Sequence, residues 1–240
     1  MLDLNAWINE IEKILNITKY KKIYKDIKGN IISYGCKHFM RNCVLYTKCC
    51  KKWYFCSYCH DEIEDNDDNY DSDSNNNDNN NDNNGAIEAH TLNRKDITKI
   101  KCLECGLEQI PTKQCLNKKC NTIMAKYFCE YCKFFDNSNK QYFHCKLCGV
   151  CRSGNQNHYI HCNKCGVCLE KTYYHKHKCM ESATQCDCPI CDEYIHMSNK
   201  AVTFWPKCGH AIHVACMQDY LQYDTDSIGC PICRNPWIPN

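Results

Sequence analysis

Cysteine and histidine, spaced to suit a metal ion rather than an apolar core, constrain this chain more than any other feature. The sharpest case lies toward its C-terminal end: Cys188-Pro189-Ile190-Cys191, then Cys208-Gly209-His210, His213 and Cys216, then Cys230-Pro231-Ile232-Cys233. Zinc in a structural role takes four N or S ligands and leaves no open position, so these eight residues predict two closed tetrahedral sites. Each CxxC pair chelates from one tight turn, and the 13-residue gap before the last pair leaves room for a short helix.

The same residue types run through the rest of the chain, which holds 26 cysteines and 11 histidines in 240 residues. Apolar residues are scattered between them, and no segment has enough to bury a large core alone. Structural zinc in finger peptides contributes about 10–16 kcal/mol, enough to stand in for that core. Disulfides are the competing use of so many cysteines. Residues Met1 to Asn30 contain no apolar stretch with a small-residue cleavage site, so a secretory signal is not expected, and no run reaches the ~18–20 apolar residues of a membrane helix. The expected compartment is therefore the reducing cytoplasm or nucleus, where closely spaced Cys and His bind metal. The Asn16-Ile17-Thr18 sequon is discounted on the same ground. A net charge of +2 is too balanced for a nucleic-acid footprint.

Residues 1–30 read as an N-terminal amphipathic helix, with Leu4, Trp7, Ile8, Ile11, Ile14 and Leu15 on one face and a lysine-rich continuation toward Ile27. A first ligand array over 33–122 offers Cys36, His38, Cys49, Cys50, Cys56, Cys59, His60, His90, Cys102, Cys105, Cys115 and Cys120. It is interrupted at 65–84 by a run of almost pure Asn, Asp and Ser, which cannot offset the entropy of its own ordering and reads as a disordered loop. Loop-closure cost grows only logarithmically, so such an insertion can sit inside a finger without destroying it.

A second array over 124–186 offers Cys129, Cys132, His144, Cys145, Cys148, Cys151, His161, Cys162, Cys165, Cys168, His177 and Cys179. It contains an internal repeat: HCKLCGVC returns seventeen residues later as HCNKCGVC. No unit can close a site alone, so the units are expected to stack, each sharing a zinc with the next. With Cys188, Cys191, Cys208, His210, His213, Cys216, Cys230 and Cys233 over 188–234, the chain carries 32 ligands, or eight sites in groups of three, three and two. Cys43, Cys186, His158, His175 and His196 are left over. Cys43 lies within the first array and could replace Cys50 or His90. Spacing does not set which ligands share which zinc.

The last eight ligands resemble a RING finger of the H2 kind; the stretch from CKHFMR to CSYCHDE resembles a CHY zinc finger; the repeat resembles a CTCHY zinc finger. In that order they are similar to the RING finger and CHY zinc finger domain-containing ubiquitin ligases. The resemblance implies a small, zinc-stabilised multi-finger protein, largely irregular with short strands and helices, ending in a RING cross-brace. It implies as partners a ubiquitin-conjugating enzyme and ubiquitin, with no covalent catalytic residue, and CHY and CTCHY fingers that recruit an unidentified protein substrate. Carried onto this sequence, Ile190 would dock the conjugating enzyme, Tyr220 and Pro231 would flank it, and Arg234 would restrain the linked ubiquitin through its forked donors. The runner-up is a zinc-binding or redox-linked scaffold without ligase activity. A nucleic-acid-binding finger is third, because the lysines are dispersed among ligand loops. A zinc hydrolase would need an open three-ligand site, and the arithmetic leaves none.

Overall fold

Alternation decides the first described element. Lys22–Lys25 reads Lys-Ile-Tyr-Lys and forms strand β1, antiparallel to β2 (Ile31–Gly35) with Lys22 opposite Gly35. Asp26 closes the turn by accepting from the backbone N–H groups of Lys28 and Asn30 at 2.8 and 2.9 Å. The helix expected over 1–30 therefore does not continue through 22–25. The Tyr24 hydroxyl donates to the Cys36 carbonyl at 2.7 Å and ties the hairpin to the first ligand loop. The computed structural model describes residues 22–67, 90–198, 200–223 and 229–236, so residues 1–21 of that expected helix lie outside the described residues. The chain divides into two compact units, Met1–Asn139 and Lys140–Asn240.

In the first unit a four-stranded antiparallel sheet has the order β4-β3-β5-β6, built from β3 (Cys43–Tyr46), β4 (Trp53–Tyr54), β5 (Lys99–Cys102) and β6 (Glu108–Gln109). Leu45 lies opposite both Tyr54 and Ile100, and Cys43 lies opposite Cys102. Helix α1 (Ser57–Asp67) follows β4 and carries Cys59 and His60 in its first turn. Its last three residues fall where the insertion was expected to begin at 65; the stretch 68–84 lies outside the described residues. Strand β3 pairs with β5 across that stretch, so the insertion leaves the sheet intact. A hairpin of β7 (Tyr127–Cys129) and β8 (Phe134–Asp136) completes this unit. Leu45, Ile97, Ile100, Met124, Ala125 and Phe135 form its buried core. Met124, Ala125 and Phe135 belong to that core, and the compact unit extends to Asn139.

The second unit begins with two hairpins, one for each copy of the repeat: β9 (Tyr142–Cys145) with β10 (Val150–Ser153), and β11 (Tyr159–Cys162) with β12 (Val167–Glu170). Each turns through a CxxCG loop whose glycine, Gly149 or Gly166, has φ near +70° (69° and 67°), a backbone conformation that only glycine adopts without cost. A short helix α2 (Lys171–Tyr174) leads out. The hairpin of β13 (Val202–Phe204) and β14 (Ala211–His213) then runs directly into α3 (Val214–Tyr223), the short helix predicted from the gap before the last CxxC pair. Trp205, Ile195, Ile212 and Met217 share one core with Val167 and Leu169, so the second repeat and the C-terminal finger are a single packed body. Among the described residues no helix is long and apolar enough to cross a membrane.

Candidate metal centres

The CxxC turns prepare their sulfurs before any metal is considered. In three of them the backbone N–H of the second cysteine points at the Sγ of the first: Cys59 to Cys56, Cys132 to Cys129 and Cys148 to Cys145, all at 3.4 Å. Such donors favour the thiolate.

In the first unit the ligands converge into three sets of four. Cys36, His38, Cys56 and Cys59 form the first, with the His38 Nδ1 at 3.4 Å from Cys56 and 3.6 Å from Cys59. The far nitrogen of His38 meets Glu62 Oε1 at 3.2 Å. Cys49, Cys50, His60 and His90 form the second, with Cys50 Sγ at 3.1 Å from His60 Nε2 and 3.3 Å from His90 Nε2. His60 Nδ1 donates to Asp61 Oδ1 at 2.8 Å, and the same oxygen accepts from the Leu92 N–H at 2.9 Å. Asp61 thus orients a ligand and ties together the two sides of the insertion. Cys102, Cys105, Cys115 and Cys120 form the third. Cys129 ends β7 and Cys132 lies in the turn that leads to β8.

In the second unit, His144 Nδ1 lies 3.9 Å from Cys151 Sγ across the β9–β10 hairpin. Cys145 and Cys148 from that hairpin meet His161 and Cys168 from the next, with Cys148 Sγ at 3.3 Å from His161 Nδ1. Cys179 Sγ lies 3.6 Å from Cys162 and 3.3 Å from Cys165. His177 interacts with Cys162, and its Nε2 is buried without a hydrogen-bond partner, as a metal-facing nitrogen must be. The repeat units therefore do share ligand sets in succession. The C-terminal finger is cross-braced: Cys188 and Cys191 face His213 and Cys216, while Cys208 and His210 face Cys230 and Cys233.

Zinc fits these sets. A tetrahedral ion with Zn–S near 2.3 Å places sulfurs about 3.8 Å apart, and the Sγ–Sγ distances of the interacting pairs run from 3.3 to 3.8 Å. A disulfide would need about 2.05 Å, and no cysteine is disulfide-bonded. Burial and then the neighbouring sulfurs push Cys216 and Cys208 up to about 12, the repulsion among crowded thiolates that a divalent cation reverses. Burial also holds His213 below the ordinary histidine range, in the neutral form that a metal requires.

The leftover residues find other work. Cys43 is fully buried against Leu45 and Ile100, and burial pushes its thiol up to about 12. It packs as a small apolar group. Cys43→Ala is expected to keep the full zinc content while lowering stability by about 1 kcal/mol; loss of one zinc on metal analysis would make Cys43 a ligand. Cys186 packs against the second core. His196 donates from Nε2 to the Cys148 carbonyl at 3.0 Å and accepts at Nδ1 from Thr184 at 3.1 Å, bracing a ligand loop. His158 ends a 3-10 turn and His175 caps α2.

Ile190 stands 41% exposed on its ligand loop, and Ile232, which the sequence reading passed over, is 48% exposed on the other. Pro231 is half-buried and Arg234 exposed. Tyr220 is half-buried, with its ring against Trp205 and its hydroxyl donating to the Gly229 carbonyl at 3.0 Å. Asp61 and Glu62 were visible only as the tail of the CHDE string. That string gives no sign that each carboxylate orients a histidine.

Fold and ligand sets together define a multi-zinc-finger protein with a C-terminal cross-brace. Residues 36–127 match the CHY zinc finger family and residues 186–234 match the Ring finger domain family. The chain is 35% identical over 206 residues to the E3 ubiquitin-protein ligase SRFP1 of Oryza sativa subsp. japonica, covering 85% of this chain and 69% of that one. It is 36% identical over 211 residues to the probable E3 ubiquitin-protein ligase RZFP34 of the same organism, covering 88% and 63%. It is 37% identical over 213 residues to the zinc finger protein BRUTUS-like At1g18910 of Arabidopsis thaliana, covering 83% of this chain but 14% of that protein. The chain belongs to the family of CHY- and RING-finger E3 ubiquitin-protein ligases.

Proposed function

We propose that this chain is a RING-type ubiquitin transferase that works by positioning. The observation that carries the reading is the cross-braced finger with Ile190 exposed on one ligand loop and Arg234 on the other. In the transfer, a substrate lysine amine attacks the thioester that joins ubiquitin to the conjugating enzyme; the new N–C bond forms as the C–S bond breaks and the conjugating enzyme's thiol departs. No cysteine of this chain takes part. Ile190 docks the conjugating enzyme, Pro231 and Tyr220 flank it, and Arg234 holds the linked ubiquitin against it. Restraining the reactants in an attack-ready pose is a sufficient source of rate.

Zinc fills eight sites in this reading, and residues 124–186 act as a CTCHY-type finger. The fingers before the RING recruit the protein substrate, in the cytoplasm or nucleus. Ubiquitin discharge from a panel of loaded conjugating enzymes to free lysine tests the function. Stimulation by the unaltered chain is expected, with Ile190→Ala weakening the complex by about 1–2 kcal/mol, roughly ten-fold. No stimulation across the panel, with zinc retained, would return the chain to a zinc-dependent scaffold.

A further inference from the structure

The β1–β2 hairpin exposes four isoleucines within a short stretch of chain. Ile27 stands fully exposed in its turn, and Ile23, Ile31 and Ile32 are 47, 51 and 52% exposed. The register accounts for this. Tyr24 lies opposite Ser33 on the face turned toward the body of the unit: Ser33 is buried and its Oγ donates to Asn42 Oδ1 at 3.1 Å, while the Tyr24 hydroxyl donates to the Cys36 carbonyl. Successive strand residues face opposite ways, so Ile23 takes the outer face. The pairing slips after Tyr24 and sets Lys25 opposite Ile31, with Ile32 as the extra residue of a bulge. Ile31 therefore shares the outer face with Ile23. The turn beyond is closed by its own bonds, Asp26 N–H to the Asn30 carbonyl at 2.9 Å and Gly29 N–H to the Asp26 carbonyl at 3.0 Å. The hairpin is thus a projection clamped at its root and apolar along its outer side and apex.

Charge selects the partner. Lys22, Lys25 and Lys28 are exposed on the same hairpin. Its single acid, Asp26, is taken up by the turn, with Oδ1 accepting from the Lys28 and Asn30 amides and Oδ2 from the Asn30 side chain at 3.0 Å. In the sequence the basic run extends back through Lys21 and Lys19, interleaved with Tyr20, Ile23, Tyr24 and Ile27. Clustered lysines beside aliphatic side chains are what hold a protein to an anionic lipid surface. Isoleucine gives a nucleic acid no ring on which to stack its bases, and a protein partner would need a pocket cut to the Ile27 apex. A lipid interface admits a projecting apex of any shape, while long lysine side chains reach back to the headgroups.

We propose that the β1–β2 hairpin is a membrane-surface contact: its isoleucines enter the interfacial region of a bilayer that carries anionic lipid, and Lys22, Lys25 and Lys28 meet the headgroups. This is a contact and not a span, and it is independent of the ligase reading. Flotation of the whole zinc-loaded chain tests it, with vesicles of phosphatidylcholine alone or with about one-third phosphatidylserine. The chain is expected to float with the anionic vesicles, at least about ten-fold less with the neutral ones, and to be released near ~1 M salt, where charge is screened within about 3 Å. Ile27→Asp, and Lys25→Glu with Lys28→Glu, should each lower the bound fraction about ten-fold or more with zinc content and circular dichroism unchanged, whereas Ile27→Leu should bind as the unaltered chain does. Ile27→Trp should add an emission that moves to shorter wavelength on anionic vesicles and is quenched by brominated acyl chains. No flotation with anionic vesicles, or equal flotation of Ile27→Asp and the unaltered chain, would overturn the proposal. Flotation that survives Ile27→Asp but not removal of residues 1–21 would place the contact upstream and overturn it as well. A dimer in sedimentation that Ile27→Asp splits, without flotation, would make the hairpin a contact between copies instead.

Discussion

Stripping zinc with a strong chelator is expected to unfold both units, with loss of near-ultraviolet circular dichroism and rapid alkylation of nearly all 26 cysteines. The strands are two to five residues long, and most sheets have only two of them. Such hairpins are marginal on their own. Each structural zinc contributes about 10–16 kcal/mol in finger peptides, more than either small core is able to supply against chain entropy. The effect should spread beyond a single site. Cys148 joins one repeat hairpin to the next through His161 and Cys168, and its carbonyl receives His196 from the C-terminal finger. Cys148→Ala should therefore loosen both hairpins together, seen as faster hydrogen exchange over 142–170. A chelated chain that keeps its tertiary signal would show that packing, and not metal, carries the fold.

Replacing Arg234 with glycine should abolish most of the ubiquitin discharge while leaving the finger as stable as before or more so. Arg234 follows the second CxxC pair and has φ of +61°, a left-handed conformation costing a non-glycine residue roughly 1–2 kcal/mol. In the repeat hairpins the corresponding position is Gly149 or Gly166. Lys133 and Asp192 take the same left-handed conformation after their own CxxC pairs, so this turn accepts a side chain at a cost. Glycine relieves the strain and removes the guanidinium at once, which alanine would not. Discharge to lysine is expected to fall about ten-fold or more, a loss of at least ~1.4 kcal/mol from the barrier lowering, with conjugating-enzyme binding nearly intact and chelator resistance undiminished. Discharge equal to the unaltered chain would end the assignment of Arg234 as the restraint on ubiquitin.

The ligands were readable because tetrahedral chelation from a short turn demands a fixed spacing, and a backbone of that geometry demands glycine or a tolerated substitute after it. The repeat HCKLCGVC and HCNKCGVC therefore announced two equivalent hairpins, and the structure has them. The gap after Cys216 announced a short helix, and α3 runs into it as far as Tyr223. Ile23 and Ile27, four residues apart, fit a helical period as well as a strand, and a short apolar pair cannot separate the two. Pairing with Ile31–Gly35 and the Tyr24 bond to Cys36 decided for a strand. Cys43 and Cys50 were interchangeable as text; the sheet turned Cys43 into the core beside Ile100 and left Cys50 facing two histidines. By itself the sequence determined which residues can bind metal and that metal must replace a core, because those properties belong to donor atoms and local spacing. Only the tertiary structure decided which donors meet, that His90 returns across the insertion to Cys50, and that Arg41 is buried over the rings of Phe39 and Phe135. Those outcomes depend on how distant strands pair, and pairing is set by the burial of whole faces that no single stretch of sequence contains.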